Sequence, residues 1–92
     1  MGSKEFLQLC KQKIEEYFNN DNNYDNINIS ENNIYVVWYC KSLQNHKALL
    51  STDIPDGIYY EITYNGDKNE LYFDVYKKYK NKCFKLNNKV GY

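Results

Sequence analysis

The spacing of the apolar residues changes once along this chain, and that change constrains the fold more than any other feature. Through residues 4–18, apolar side chains recur every four positions, which places them on one face of an α-helix. From residue 34 onward they alternate with polar or aromatic positions at a period of two, which is typical of strands. We therefore predict an N-terminal amphipathic helix followed by a sheet. The helix stripe consists of Phe6, Cys10, Ile14 and Phe18, widened by Leu7 and Tyr17.

The ends of the predicted helix carry their own signals. Ser3 precedes the first apolar residue and is predicted to be the N-cap, because its hydroxyl could accept a hydrogen bond from the first turn. Glu5 follows within that turn, where its negative charge would meet the positive end of the helix dipole. Residues 19–33 hold eight asparagines and only two aliphatic residues, Ile27 and Ile29, which predicts a loop containing at most a short edge strand.

Four segments after residue 33 alternate as strands do. The first places Ile34, Val36, Trp38 and Cys40 on one face, which we take as the inward face, and Tyr35, Val37 and Tyr39 on the other. The others span residues 47–52, 57–64 and 71–76. Turn residues separate them: Ile54-Pro55-Asp56-Gly57 before the third, and Asn65-Gly66-Asp67 between the third and the fourth.

Short turns between successive strands favour an antiparallel meander, and one amphipathic helix can cover its apolar face. The predicted fold is α+β, with an N-terminal helix packed on a three- to four-stranded antiparallel meander. Its 92 residues suffice for one core, so we predict a single domain over residues 1–92. The sheet is predicted over residues 34–84 and a polar tail over residues 85–92.

The lysines and the acidic residues are separated along the chain. Through Tyr76 there are six lysines and twelve acidic residues, a net charge of −6, and after Tyr76 there are six lysines and no acidic residue. Lysines interleaved with aromatic residues could attract phosphates and stack bases, so this segment is a candidate nucleic-acid site. The alternative is a solvated edge strand whose lysines prevent aggregation. The segment contains Lys77, Lys78, Tyr79, Lys80, Lys82, Phe84, Lys85 and Lys89. Arginine is absent, which disfavours sequence-specific base reading.

Few residues could carry catalysis or hold a metal. The three cysteines form no Cys-x-x-Cys pair, and the single histidine, His46, has no partner at zinc-ligand spacing. Cys40 with His46 is the one dyad available for nucleophilic catalysis. However, Cys40 falls on the inward face of the first strand, where it would be buried, and His46 is expected in an exposed loop. The four glycines are isolated, so no phosphate-binding loop is present. We predict neither a cofactor nor a metal, and no enzymatic activity.

Several aromatic side chains fall on strand positions that the alternation directs outward. Tyrosine is enriched in protein interfaces because it buries a large area and keeps a polar hydroxyl. A polar connection between the first two strands adds further exposed groups. The predicted partner-binding residues are Tyr35, Tyr39, Lys41, Gln44, Asn45, His46, Lys47, Tyr59, Tyr72 and Tyr76. A homodimer formed through the tyrosine face is an alternative use of the same residues.

Three segments carry a family resemblance. They read VVWYCKSLQNHKALLST over residues 36–52, DGIYYEITYNGDK over residues 56–68 and LYFDVYKK over residues 71–78. Together they resemble a family of small proteins encoded by phages and prophages of Gram-positive bacteria. The match covers roughly residues 36–83, with a weaker similarity over residues 6–17. The resemblance carries no catalytic residues to this chain. It implies a phage accessory protein, and such proteins often bind and block proteins of the host.

These observations give two function hypotheses. The first is a non-enzymatic protein that binds and inhibits a host or defence protein, with an inhibitor of a CRISPR effector as the most concrete instance. The second is a small nucleic-acid-binding module that uses the lysine-rich C-terminal segment. No apolar run approaches the roughly 20 residues of a membrane-spanning helix, and the N-terminus lacks the pattern of a signal peptide. We therefore expect a protein in the cytoplasm of the infected bacterium, without a membrane partner.

Overall fold

A computed structural model describes residues 1–22 and 24–87 of the chain and shows one helix packed on a four-stranded sheet. Helix α1 spans Ser3–Tyr17, and a π-helical turn, Phe18–Asn22, extends it. The strands are β1 (Ile34–Ser42), β2 (Asn45–Thr52), β3 (Ile58–Asn65) and β4 (Glu70–Lys77). They lie in the order β1-β2-β3-β4, and each neighbouring pair is antiparallel. The predicted α+β class and meander are confirmed.

Helix α1 begins one residue earlier than its sequence signal indicated. Gly2 is the N-cap, and its carbonyl oxygen accepts the first helical hydrogen bond from the Phe6 N–H at 2.9 Å. The Gly2 N–H donates to Oε1 of Glu5 at 3.4 Å, so the Glu5 side chain caps the first turn. Ser3 is the first helical residue, and the prediction that it caps the helix was wrong.

The core lies between helix α1 and one face of the sheet. The predicted stripe Phe6, Cys10, Ile14 and Phe18 is fully buried. It packs in one cluster with Ala48 and Leu50 of β2 and with Tyr60 and Ile62 of β3, which are also fully buried. Tyr17 lies at the edge of this cluster, with its ring centroid 6.0 Å from that of Tyr60 and 5.6 Å from that of Phe73. Burial of these side chains is the main driving force for the fold.

The asparagine-rich segment is held by side-chain hydrogen bonds, and its described residues, 19–22 and 24–33, form no strand. The Asn19 amide donates to the Ile29 carbonyl at 3.0 Å and accepts from the Ile29 N–H at 2.8 Å. These bonds occupy both backbone groups that a strand at Ile29 would pair. Ile29 is buried in the core cluster, whereas Ile27 is exposed. The edge strand considered for Ile27 and Ile29 is therefore absent, and short 3-10 turns lie at Tyr24–Asn26 and Glu31–Asn33.

A β-bulge in β1 reverses the predicted faces of its second half. Val36 lies opposite Leu50 and Trp38 lies opposite Leu49, so Val37 is an extra residue without a partner. Beyond it, Trp38 and Cys40 are exposed, and Tyr39 packs against the core. The prediction that Trp38 and Cys40 point inward and Tyr39 outward was wrong, because an inserted residue shifts the alternation by one position.

The polar connection expected between β1 and β2 is a tight hairpin. β1 continues to Ser42 and β2 begins at Asn45, so only Leu43 and Gln44 form the turn. The β3–β4 turn packs against it: the Gly66 N–H donates to Oδ1 of Asn45 at 2.9 Å. A Cβ atom at Gly66 would overlap the Gln44 carbonyl oxygen, so only glycine permits this approach.

The sheet ends earlier than predicted. β4 stops at Lys77, and the Lys78 N–H donates to the Gly57 carbonyl at 2.7 Å. Residues 78–87 form no strand. We call them the basic arm, because four of the ten residues are lysines and none is acidic. The predicted sheet over residues 34–84 was therefore too long, and Lys89 lies outside the described residues.

Candidate functional site

The sheet face turned away from α1 carries three rows of side chains that cross all four strands. Cross-strand partners share a face, so the register defines the rows. They are Tyr35, Ser51, Tyr59 and Tyr76; Trp38, Leu49, Glu61 and Asp74; and Cys40, Lys47, Thr63 and Tyr72. We call this surface the open face.

Large aromatic side chains of the open face are exposed to solvent. Tyr35 is 48% exposed, Trp38 40%, Tyr72 51% and Tyr76 52%. Leu49 and Tyr59 are half-buried between them. Folded monomers seldom expose several large aromatic side chains on one face, and such surfaces usually mark a binding site.

The centre of the open face is acidic. Glu61 and Asp74 lie directly opposite each other on β3 and β4, and like charges in that position repel. Lys47 partly compensates, with its Nζ 3.8 Å from Oε2 of Glu61. The Tyr76 hydroxyl donates to Oε1 of Glu61 at 3.4 Å. The charges of Glu61, and then of Asp74, raise the pKa of Tyr76 above its usual value, because a phenolate there would face two carboxylates.

A second tyrosine on this face is held in the same way. The Tyr72 hydroxyl donates to Oε1 of Glu70 at 2.8 Å. This bond, with the charge of Glu70, raises the pKa of Tyr72. Both tyrosines therefore present neutral hydroxyls beside carboxylates, and the open face combines aromatic rings with negative charge.

The structure brings together half of the predicted partner-binding residues. Tyr35, Lys47, Tyr59, Tyr72 and Tyr76 all lie on the open face. Lys41, Gln44 and Asn45 are exposed at the β1–β2 hairpin, at one end of the sheet. Tyr39 and His46 lie on the covered side. Sequence reasoning missed Trp38 and Leu49; an alternating pattern contains no signal for the bulge that turns Trp38 outward.

His46 is a core residue and not the exposed loop residue that we predicted. It is 1% exposed, and its ring stacks on Phe6 with centroids 5.0 Å apart. Its Nε2 lies 2.9 Å from the Met1 carbonyl oxygen, and its Nδ1 contacts the Tyr39 hydroxyl. A carbonyl can only accept, so Nε2 carries a proton and donates it to the Met1 carbonyl. The bonds tie the N-terminus to the sheet.

The three cysteines and His46 lie in different places. Cys40 is exposed on the open face, Cys83 is exposed in the basic arm, and Cys10 is buried on the inner face of α1. Because Cys40 and His46 are on opposite faces, the structure does not form the dyad. Burial raises the pKa of the Cys10 thiol to about 12. Within the two described ranges, no three histidine, cysteine or acidic residues are grouped closely enough to hold a metal ion.

The residues of the nucleic-acid hypothesis lie at the end of β4 and in the basic arm. Tyr79 is 98% exposed. The Lys78 ammonium lies 5.8 Å from the centre of the Tyr59 ring, and the Lys82 ammonium lies 5.2 Å from the centre of the Phe84 ring. Lys77 and Lys80 are exposed as well. The arm thus combines exposed cations with exposed rings, and none of its side chains belongs to a sheet row.

Helix, meander and open face together define a small α+β protein that presents aromatic side chains on one face of its sheet. The chain belongs to the family described as "Family of unknown function (DUF6275)", whose model matches residues 7–86. No curated protein and no solved structure matches the chain. The described part of the chain contains no helix with the length and apolar character needed to cross a membrane.

Proposed function

We propose that this chain acts without catalysis, by stoichiometric binding of another protein to its open face. One observation carries the proposal: aromatic side chains from β1, β3 and β4 lie together on one face of a sheet whose other face is already covered. Aromatic residues held on paired strands lose little conformational freedom on binding, which favours affinity.

The charge of the open face indicates what the partner presents. Glu61 and Asp74 place two facing carboxylates amid the rings, and among the described residues only Glu61 of the two has a lysine within ion-pair distance. A partner that offers an arginine or lysine to this pair, surrounded by apolar groups, would relieve the repulsion between the carboxylates and cover the aromatic rings. We therefore propose a partner with a basic and apolar contact surface.

The resemblance to phage and prophage proteins suggests what kind of protein this partner is. A phage accessory protein that binds stoichiometrically gains its effect by blocking a host or defence protein. Nucleases of CRISPR immunity carry basic channels for nucleic acid, and an acidic aromatic surface could occupy such a channel. An inhibitor of a CRISPR effector is thus the concrete form of the proposal.

Affinity capture with matched variants tests this function. The tagged protein is incubated with nuclease-treated lysate of a bacterium that carries such prophages, and retained proteins are identified by mass spectrometry. We expect one protein to be retained in a constant molar ratio, and the double variant Tyr35→Ala/Tyr76→Ala to lose it. Leu43→Ala removes an exposed apolar side chain in the β1–β2 turn and should retain it. Equal retention by the double variant and the wild type would contradict the proposal.

The exposed lysines and rings of the basic arm support nucleic-acid binding as a second candidate function. It predicts an affinity for single-stranded oligonucleotides that falls steeply with salt. Fluorescence anisotropy of a labelled oligonucleotide measures it, with Lys77, Lys78, Lys80 and Lys82 changed to glutamine as the test variant. Lys41→Gln/Lys47→Gln serves as the control, because those lysines lie outside the arm. Binding that is absent, or insensitive to salt, would exclude this function.

A further inference from the structure

The basic arm leaves the body of the protein and exposes its apolar side chains. After Lys78, whose N–H still bonds to Gly57, the chain continues without regular structure. Phe84 is 74% exposed and Leu86 is 76% exposed. The radius of gyration is 16.1 Å, against about 12 Å for a compact domain of this length. Large apolar side chains on a projecting segment indicate that the segment packs against another surface.

A groove of matching character runs beside β4, between the edge of the sheet and the end of α1. Its volume is about 480 Å³. Leu71 and Phe73 of β4 and Tyr17 of α1 supply its apolar wall. Its polar lining consists of Lys13, Glu16, Asn20 and Asp21. Lys13 already contacts Glu16, with Nζ 3.6 Å from Oε2.

The strand that borders the groove has one unpaired edge. β4 is the last strand in the order β1-β2-β3-β4 and pairs only with β3 in the described sheet. The outer backbone N–H and C=O groups of such an edge can pair with an added extended segment. The groove therefore offers backbone pairing, an apolar wall and a net negative rim to the same ligand.

We infer that the basic arm of one copy binds in the groove of a second copy and pairs with its β4. This inference goes beyond the proposed function, because it uses neither the open face nor a foreign partner. Phe84 and Leu86 would cover Leu71 and Phe73, and the arm lysines would approach Asp21 and Glu16. The charges favour this contact: the chain through Tyr76 carries a net charge of −6, and the six lysines after Tyr76 are accompanied by no acidic residue.

The direction of the arm favours a second copy over the chain's own groove. The arm begins directly after Lys77, the last residue of β4, whereas Leu71 and Phe73 lie in the first half of that strand. To reach its own groove, the chain would have to reverse within the first few residues after Lys77. Residues 78–86 contain no turn. Exchange of arms between two copies covers both grooves and closes a symmetric dimer.

Sedimentation equilibrium on the nuclease-treated full chain tests the inference. We expect a dimer whose dissociation constant rises with salt, because the contact is charge-assisted. Phe84→Asp should raise the dissociation constant more than about tenfold, as loss of an apolar anchor does. Leu43→Asp, which changes another exposed apolar side chain, in the β1–β2 turn, should leave it unchanged. A monomer at all concentrations, or a dimer that Phe84→Asp leaves intact, would overturn the inference.

A disulfide experiment distinguishes an arm bound in the groove of a second copy from an arm folded back into its own groove. In a Cys40→Ser background, Asn20→Cys places a thiol in the groove, where Cys83 of the arm could reach it. Cys10 is buried and does not compete. Oxidation should give a covalent dimer on a non-reducing gel, and mixing two differently tagged copies should give the mixed species. An intramolecular disulfide, which runs as a monomer, would show that the arm occupies its own groove and would contradict exchange.

The same measurements distinguish this dimer from one formed through the open face. Tyr35→Ala/Tyr76→Ala should leave the dissociation constant of the arm-exchanged dimer unchanged while it removes capture of a partner protein. If that variant dissociates the dimer, the copies meet through the open face and the inference fails. If Phe84→Asp gives a monomer that still captures the partner, the inference holds and the proposed function stands separately.

Discussion

The two faces of the sheet are built from alternate residues of the same strands, yet they have opposite properties. The face under α1 is a dry core of Ala48, Leu50, Tyr60 and Ile62, all fully buried. The open face presents aromatic rings and carboxylates to solvent. Helix α1 accounts for this difference, because it has a single apolar stripe and can cover only one face. An aromatic residue on the open face therefore contributes little to folding and is available for binding.

Substitution of two adjacent leucines in β2 should show the largest difference in stability between the two faces. Leu50 is fully buried on the covered face, and Leu49 is half-buried on the open face. Leu50→Ala should lower the free energy of unfolding by about 3 kcal/mol, because it leaves a cavity in the core. Leu49→Ala should cost about 1 kcal/mol or less. Urea denaturation followed by circular dichroism measures both, and equal losses would mean that the open face is packed as tightly as the core.

Alkaline pH should destabilise the covered face through Cys10. Burial raises the pKa of this thiol from 9.0 to about 12, so the folded state keeps the proton while the unfolded chain loses it. The stabilisation of the folded state by the protonated thiol is complete below pH 9. It is lost between the two pKa values, at about 1.4 kcal/mol per pH unit.

Urea midpoints measured from pH 8 to pH 11 test this dependence. Cys10→Ala should flatten the decline, and Cys40→Ser, which changes an exposed thiol, should not. Part of the decline will persist in Cys10→Ala, because burial, and then the charge of Asp56, raise the pKa of Tyr60 as well. An unchanged slope in Cys10→Ala would show that the thiol is not buried.

Loss of the hydroxyl should change the free energy of unfolding in opposite directions for two tyrosines that point into the covered side. Among the described residues, the buried Tyr60 hydroxyl has no hydrogen-bond partner, whereas the Tyr39 hydroxyl is hydrogen-bonded to Nδ1 of His46. Tyr60→Phe should raise the free energy of unfolding by about 1 kcal/mol, and Tyr39→Phe should lower it by about 1 kcal/mol. Thermal unfolding of the two variants provides the measurement. A loss of stability in Tyr60→Phe would reveal a partner for that hydroxyl.

The smallest expected effect concerns charge on the open face. Asp74→Asn removes one of the two carboxylates that raise the pKa of Tyr76, so this pKa should fall toward its usual value. Tyrosine ring carbon shifts in an NMR pH titration report it. The pKa of Tyr72, which depends on Glu70, should not change and serves as the internal control. A pKa of Tyr76 that Asp74→Asn does not move would show that the carboxylates act on another group.

The sequence predicted well the elements whose pattern is local. The spacing of Phe6, Cys10, Ile14 and Phe18 gave the helix and its buried face, and the turn residues between β3 and β4 gave the hairpin. Those signals depend on neighbours within a few positions, so they survive in any tertiary context. Tyr35, Tyr59, Tyr72 and Tyr76 were correctly directed outward for the same reason.

The tertiary structure decided what a two-residue alternation cannot encode. The bulge at Val37 is set by the pairing of β1 with β2, and it exchanged Trp38 with Tyr39 between the two faces. His46 became a core residue because Phe6 and Met1, which are distant in sequence, and Tyr39 of the neighbouring strand surround it. Local periodicity determines which segments are helix or strand. Which face each side chain occupies depends on register between segments, and only the folded chain specifies that register.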